Sequence, residues 1–320
     1  MPNLLTTLPI EPEWQAIVEE NLSEIATIRH LADAGETERR RLLVESDVLF
    51  SWNPHRELSS EELEIAGAAD FMQLLSAGYD HLDFDALPDD LAIAANVGAY
   101  SKPIAEHVLG MAITLARRMC VEHENMRKGE FNQRRVNKSL RGANLGIVGF
   151  GGIGQEITDL FRPLEVDVLA INTSGRTDED VAWCGTLAQL EHVLRESDLL
   201  VLCLPLTEQT RGLIGREELR EMKDDAILVN VSRGQLIDQR ALYEHLESNP
   251  NFRAGLEAWW VEPFRHGEFR VDYPLLELPN VLGCPHNSAV VPGALENGVR
   301  RAAENIEGYL TGGEIRGLIQ

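Results

Sequence analysis

Residues 145–155 read LGIVGFGGIGQ, an apolar run that breaks into Gly149, Gly151 and Gly154 before an amphipathic stretch opens. LGIV has the pattern of a buried strand and IGQEITDLF that of a helix. A glycine turn between strand and helix presents the helix N-terminus, with its unpaired N–H groups, to an anion. In this reading Gly149 allows the tight turn, Gly151 admits a pyrophosphate and Gly154 lets the helix pack close on the strand. Gly152 and Ile153 open the helix. The stretch predicts a dinucleotide-binding turn.

Outward from this turn, short apolar runs alternate with longer amphipathic ones, the pattern of a parallel sheet flanked by helices. Ahead of it NLLTTLPI, DVLF, MQLLSAG and LAIAANV read as strands, and EPEWQAIVEENL and SEELEIAGAA as helices, with Ser60 as N-cap. Residues 103–128 read as one long helix with Ile104, Val108, Met111 and Leu115 on a buried stripe. After the turn VDVLAI, LLVLCL, AILVNV, AGLEAW and VLGC continue the strands, and a helix over about 292–311 closes the chain. At 320 residues the chain is long enough for two domains.

Which dinucleotide is expected follows from the end of VDVLAI. An acidic side chain there accepts from the ribose hydroxyls of NAD. This chain reads INTSGR instead, with Asn172 where the acid belongs. Asn172, Thr173, Ser174 and Arg176 are donors suited to a 2′-phosphate, so NADP(H) is expected ahead of NAD(H).

Three later stretches place reactive groups just beyond strands: Arg233 in NVSRGQLID, Glu262 in AGLEAWWVEPF and His286 in CPHNSAVV. Ligands of open α/β sheets sit outside the carboxyl ends of the strands, so the three are expected to converge there. Guanidinium, carboxylate and imidazole are an anion grip, an orienting group and a proton donor.

With these motifs in order, the chain resembles the D-2-hydroxyacid dehydrogenase family over nearly its whole length. The resemblance rests on SAGYDHLD (76–83), NVGAYSKPIAEHVLGMAITLAR (96–117), GFGGIG (149–154), CLPLTEQTRGLIG (203–215), NVSRG, GLEAWWVEP and PHNSA. It implies two Rossmann-like doubly wound domains: a discontinuous substrate domain (1–99 with 289–320) and an inserted coenzyme domain (100–288). It implies that Arg233 grips the substrate carboxylate and polarises the 2-oxo group. His286 would exchange the proton, and Glu262 would orient the imidazole and keep it protonated. Backbone N–H groups of Ala77 and Gly78 would bind the carboxylate, and Tyr100 would line the pocket. Cys203, Leu204, Pro205, Thr210, Val231, Ser232, Glu257 and Ser288 would contact the cofactor. Glu257 stands where relatives usually carry Asp against the nicotinamide carboxamide, and Cys203 where His or Asn is common. Glu262 separates the chain from formate dehydrogenases, which carry Gln there. With no regulatory domain expected past residue 320, a long-form phosphoglycerate dehydrogenase is disfavoured. A homodimer joined through the coenzyme domains is the family expectation. The implied activity is reduction of a small or medium 2-oxoacid to the D-2-hydroxyacid; the alternative is a dinucleotide-sensing corepressor of the same fold.

Bulk composition is consistent with this. Asp and Glu number 52 against 29 Lys and Arg, a net charge of −23, which disfavours nucleic acid and anionic membranes as partners. Only Lys102, Lys128, Lys138 and Lys223 are lysines. An acidic, lysine-poor exterior suits a halophilic protein, because concentrated salt screens its self-repulsion. The longest clean apolar run, VLGMAITLA, is too short to span a bilayer, and the N-terminus lacks a basic secretory n-region. Cys120, Cys184, Cys203 and Cys284 show no metal-ligand spacing and read as buried thiols of a cytoplasmic protein.

Overall fold

Strands whose successive residues are all apolar must be covered on both faces. The computed structural model, which describes residues 1–66 and 69–320, meets that demand twice. One compact unit is Met1–Tyr100 with Val290–Gln320, and the other is Ser101–Ala289.

The first unit runs β1 (Asn3–Thr6), α1 (Pro12–Leu22), β2 (Thr27–His30), α2 (Glu36–Val44), β3 (Val48–Ser51), α3 (Pro54–Glu57), α4 (Ser60–Ala66), β4 (Phe71–Leu74) and β5 (Ala92–Ala94). Its parallel sheet has the order β2-β1-β3-β4-β5. Alternate side chains face opposite layers: Leu5, Leu49 and Met72 enter one core, Leu4, Val48 and Phe71 the other.

The second unit opens with α5 (Ser101–Ala116) and α6 (Met119–Arg127). It continues through β6 (Asn144–Val148), α7 (Gly152–Phe161), β7 (Asp167–Ile171), β8 (Trp183–Gly185), α8 (Leu190–Glu196), β9 (Leu199–Leu202), α9 (Arg216–Glu221) and β10 (Ile227–Asn230). It ends with α10 (Gln239–Ser248), β11 (Arg253–Leu256), α11 (Pro263–His266) and β12 (Val281–Gly283). The parallel sheet reads β12-β11-β10-β9-β6-β7-β8, and its order reverses at β6. Helices α5 and α7 cover the face that carries Ile147, Val201 and Val229. The closing helix α12 (Ala294–Thr311) returns to the first unit, where Val299, Ala302 and Ile306 join the core beside α1.

Several expectations need correction. The expected single helix over 103–128 is broken at Arg118, whose φ of 55° is left-handed and ends α5. The buried stripe stops at Ala116, and α6 buries none of its residues, so nothing holds the two segments straight. The cap of α4 is Ser59, not Ser60: the Glu62 N–H donates to Ser59 Oγ (3.3 Å) and the Ser59 N–H to Glu62 Oε2 (2.9 Å). The last positions expected for that helix, Gly67 and Ala68, lie outside the described residues. Strands β2 and β8 lacked the apolar signal because both are edge strands, the one polar and the other three residues long. Cys120 is exposed rather than buried.

Candidate active site

The carboxyl edge of the second sheet is set by register. Val148 pairs with Leu202, Leu202 with Asn230, Asn230 with Leu256 and Leu256 with Gly283. The next residue of each strand, Gly149, Cys203, Val231, Glu257 and Cys284, therefore stands in one row. Four N–H donations carry the ladder one step further: Cys203 to Val148, Val231 to Leu202, Glu257 to Asn230 and Cys284 to Leu256.

At the point where the order reverses, Gly149 has φ +100° and sits where a Cβ would lie 2.6 Å from the Cys203 carbonyl oxygen. Only glycine fits. A Cβ on Gly151 would meet nothing within 4 Å, so the backbone there is open to a ligand. One on Gly154 would meet Ile147 and Phe150 at 3.1 Å, the close packing of helix on strand. The first N–H groups of α7, from Gly152 and Ile153 onward, have no partner within the helix and face that opening. These features fit a dinucleotide pyrophosphate. Cys203 braces the turn: its Sγ donates to the Gly149 carbonyl (3.2 Å), and burial pushes the thiol up to about 12. Beside it Leu204 is buried, and Thr210 Oγ1 donates to the Pro205 carbonyl (2.8 Å).

Beyond β7, Asn172 ties its own loop: Nδ2 donates to the Arg176 carbonyl (2.8 Å) and Oδ1 accepts from the Gly175 N–H (2.7 Å). Ser174 Oγ also donates to the Arg176 carbonyl (3.0 Å). The Asn172 amide thus shapes the loop, while Thr173, Ser174 and Arg176 are exposed on it.

The three reactive groups lie beyond β10, β11 and β12. His286 Nδ1 is 2.9 Å from both oxygens of Glu262. A carboxylate only accepts, so Nδ1 carries the proton and the other ring nitrogen is left toward solvent. The Glu262 side chain is 9% exposed and that of His286 35%. Burial would raise the Glu262 carboxyl, but the His286 imidazole, the Trp259 N–H (2.7 Å) and the Arg233 charge together hold it below the ordinary range. Arg233 is half-buried, with Nη1 donating to the Ser232 carbonyl (2.7 Å) and its own carbonyl held by Asn230 Nδ2 (2.8 Å). His286 itself has φ 53°, a left-handed position that costs an imidazole-bearing residue free energy and fixes its aim. Val231 and Ser232 are buried beneath this edge.

Trp259 and Trp260 act as clamps. Trp259 Nε1 donates to the Cys284 carbonyl (2.7 Å) and Trp260 Nε1 to the Ile237 carbonyl (2.8 Å), fastening the loops that carry Glu262, His286 and Arg233.

Glu257 is fully buried. Its Oε1 accepts from the Ser288 N–H (2.5 Å), and its Oε2 lies 3.4 Å from His107 Nε2 on α5. The imidazole of His107 is pushed up to about 10, first by Cys284 and then by Glu257, against its burial. The Glu257 carboxyl is in turn held low by His107 and Ser288 although burial opposes it. His107, Glu257 and Cys284 each bring a donor atom within 4.8 Å of one another, the one group of metal-ligand type among the described residues. No local spacing betrays it; the sheet register and α5 assemble it. In the first unit Ala77 and Gly78 follow β4, partly exposed. Tyr100 is buried there, and its hydroxyl donates to the Leu75 carbonyl (2.9 Å).

Residues 109–288 match the family model described as D-isomer specific 2-hydroxyacid dehydrogenase, NAD binding domain. The chain is 29% identical to a hydroxypyruvate reductase of Thermotoga maritima, across 88% of this chain and 89% of that protein. It is 30% identical to a glyoxylate reductase of Korarchaeum cryptofilum, across 80% and 77%. A solved glyoxylate reductase from Paecilomyes thermophila superposes with a TM-score of 0.80 at 25% identity, covering 100% of this chain and 99% of that one. No helix among the described residues is long and apolar enough to cross a membrane. The chain belongs to the D-isomer specific 2-hydroxyacid dehydrogenase family, oxidoreductases that act on a CH–OH group with a nicotinamide dinucleotide.

Proposed function

We propose that the protein is an NADPH-preferring reductase of a small or medium 2-oxoacid, with glyoxylate and hydroxypyruvate the first substrates to try, yielding the D-2-hydroxyacid. The observation that carries this is the pairing of His286 Nδ1 with both oxygens of Glu262 at 2.9 Å. That pairing keeps one proton on Nδ1 and leaves Nε2 to exchange the other: the imidazolium gives its Nε2 proton to the substrate's C2 oxygen in reduction, and the neutral imidazole takes it back in oxidation. Arg233 grips the substrate carboxylate as a planar fork and draws charge from the 2-oxo group. Its charge also steadies the Glu262 carboxylate. A bound reduced nicotinamide supplies the hydride. Glu257, held ionised by His107 and the Ser288 N–H, would accept from the carboxamide of a bound nicotinamide.

In this reading the second unit holds the coenzyme and the first the substrate, with the Ala77 and Gly78 N–H groups on its carboxylate. Arg176, with Thr173 and Ser174, selects the 2′-phosphate. The protein works as a homodimer in a salt-rich cytoplasm. The test is turnover of NADPH with a panel of 2-oxoacids by wild type and His286→Gln. The variant is expected to lose 10²-fold or more in kcat while binding NADPH normally, the usual range for an acid–base group. Undiminished turnover by His286→Gln would refute the assignment.

A further inference from the structure

Away from the catalytic edge, two guanidinium groups face one small cavity where α5 ends against β11 and β12. Arg118, Arg253, Thr114, Cys120 and Asn280 line it. Arg253 is only 7% exposed, yet its Nε and Nη1 are buried with no hydrogen-bond acceptor, and Arg118 Nε is buried in the same condition. Burying a guanidinium without an acceptor is unfavourable, because the lost hydration is not replaced. Burial first, and then the neighbouring Arg118 charge, lowers the Arg253 guanidinium from its ordinary value. The carboxylate that acts on Arg253, Asp225, already pairs with Lys138 Nζ at 2.9 Å. In a chain of net charge −23, two cations that line one cavity with no acid among its lining residues are an arrangement that asks for an anion.

We propose that Arg118 and Arg253 form a binding site for a small inorganic oxyanion of the phosphate class. The cavity, about 30 Å³, takes an ion of that size and is too small for a sugar or a nucleotide. Guanidinium donors suit tetrahedral oxyanions. Because Arg118 follows α5 and Arg253 opens β11, the ion ties the end of α5 to the amino-terminal end of the sheet, at the opposite end of the strands from Glu257 and Cys284.

The test is calorimetric titration of inorganic phosphate into the NADPH-saturated protein, with melting curves in phosphate and in chloride at equal ionic strength. Wild type is expected to bind one equivalent and to melt at least 2 °C higher in saturating phosphate than in chloride. Arg253→Met removes a buried charge, so it is expected to melt higher than wild type without phosphate and to bind phosphate at least tenfold more weakly. Arg118→Gly, which also relieves a left-handed backbone, is expected to weaken binding likewise and serves if Arg253→Met fails to fold. Absent binding by wild type, or equal binding by wild type and both variants, overturns the proposal. So does a wild-type dimer that binds no phosphate and dissociates in Arg253→Met, which would assign these donors to a second copy of the chain.

Discussion

Glu262 shows how one side chain serves two ends. Its carboxyl is held below the ordinary range in the folded chain, so the unfolded chain binds more protons as pH falls past about 4.3. The stability it lends is therefore complete above that pH and drains away as pH drops toward the folded value. Between pH 6 and pH 4 the melting temperature of wild type is expected to fall further than that of Glu262→Gln. Parallel curves in scanning calorimetry would contradict this. At the other end of the cofactor, Arg176→Ala is expected to weaken NADPH binding about tenfold and NADH binding by less than about twofold, the difference one charge-assisted hydrogen bond makes. Equal loss for both, read by fluorescence titration, would remove Arg176 from the 2′-phosphate. Arg233, Glu262 and His286 were legible in the sequence because each follows a strand within a recognisable motif. His107 was not: it lies on a helix whose periodicity speaks only of packing, and it meets Glu257 through contacts 150 residues distant along the chain.

At the scale of elements, central strands announced themselves by continuous apolar runs, as did the edge strands β5 and β12, whereas the edge strands β2 and β8 did not. Helix ends were harder to read, because they depend on single hydrogen bonds. Two adjacent serines stand where α4 begins, and only the geometry distinguishes Ser59 as the cap whose partner Glu62 also holds Arg39 at 2.6 Å. Ser59→Ala is expected to destabilise the first unit by about 1 kcal/mol, measured in urea. Ser60→Ala is expected to leave it within about 0.5 kcal/mol. The reverse ranking would return the cap to Ser60. The break at Arg118 was invisible for a different reason: nothing in MAITLARRMC forbids a continued helix, and the left-handed residue follows from where burial ends.

For the whole molecule, charge is the feature with the widest consequence. Many of the ion pairs are exposed arginine–carboxylate contacts, such as Arg41 with Glu38 and Arg162 with Asp159, each worth little alone. Against them stands the self-repulsion of a net −23 chain, which salt suppresses as the screening length shrinks from about 10 Å at 0.1 M to about 3 Å at 1 M. The melting temperature is expected to rise by at least about 5 °C between 0.1 M and 3 M potassium chloride, a gain of roughly 2 kcal/mol for a protein of this size. A flat or falling curve would show that repulsion does not limit stability.

The in-register carboxyl edge of the second sheet has a consequence for how such an enzyme diverges. Removing or adding one residue within Arg253–Leu256 would turn Glu257 to the opposite side of the sheet, since strand side chains alternate. Spacing along this rim is thus quantised, and mutation cannot adjust it by small steps. The adjustable dimension is side-chain reach, and a glutamate at position 257 in place of a shorter acid is the kind of change that the frame of the sheet leaves open.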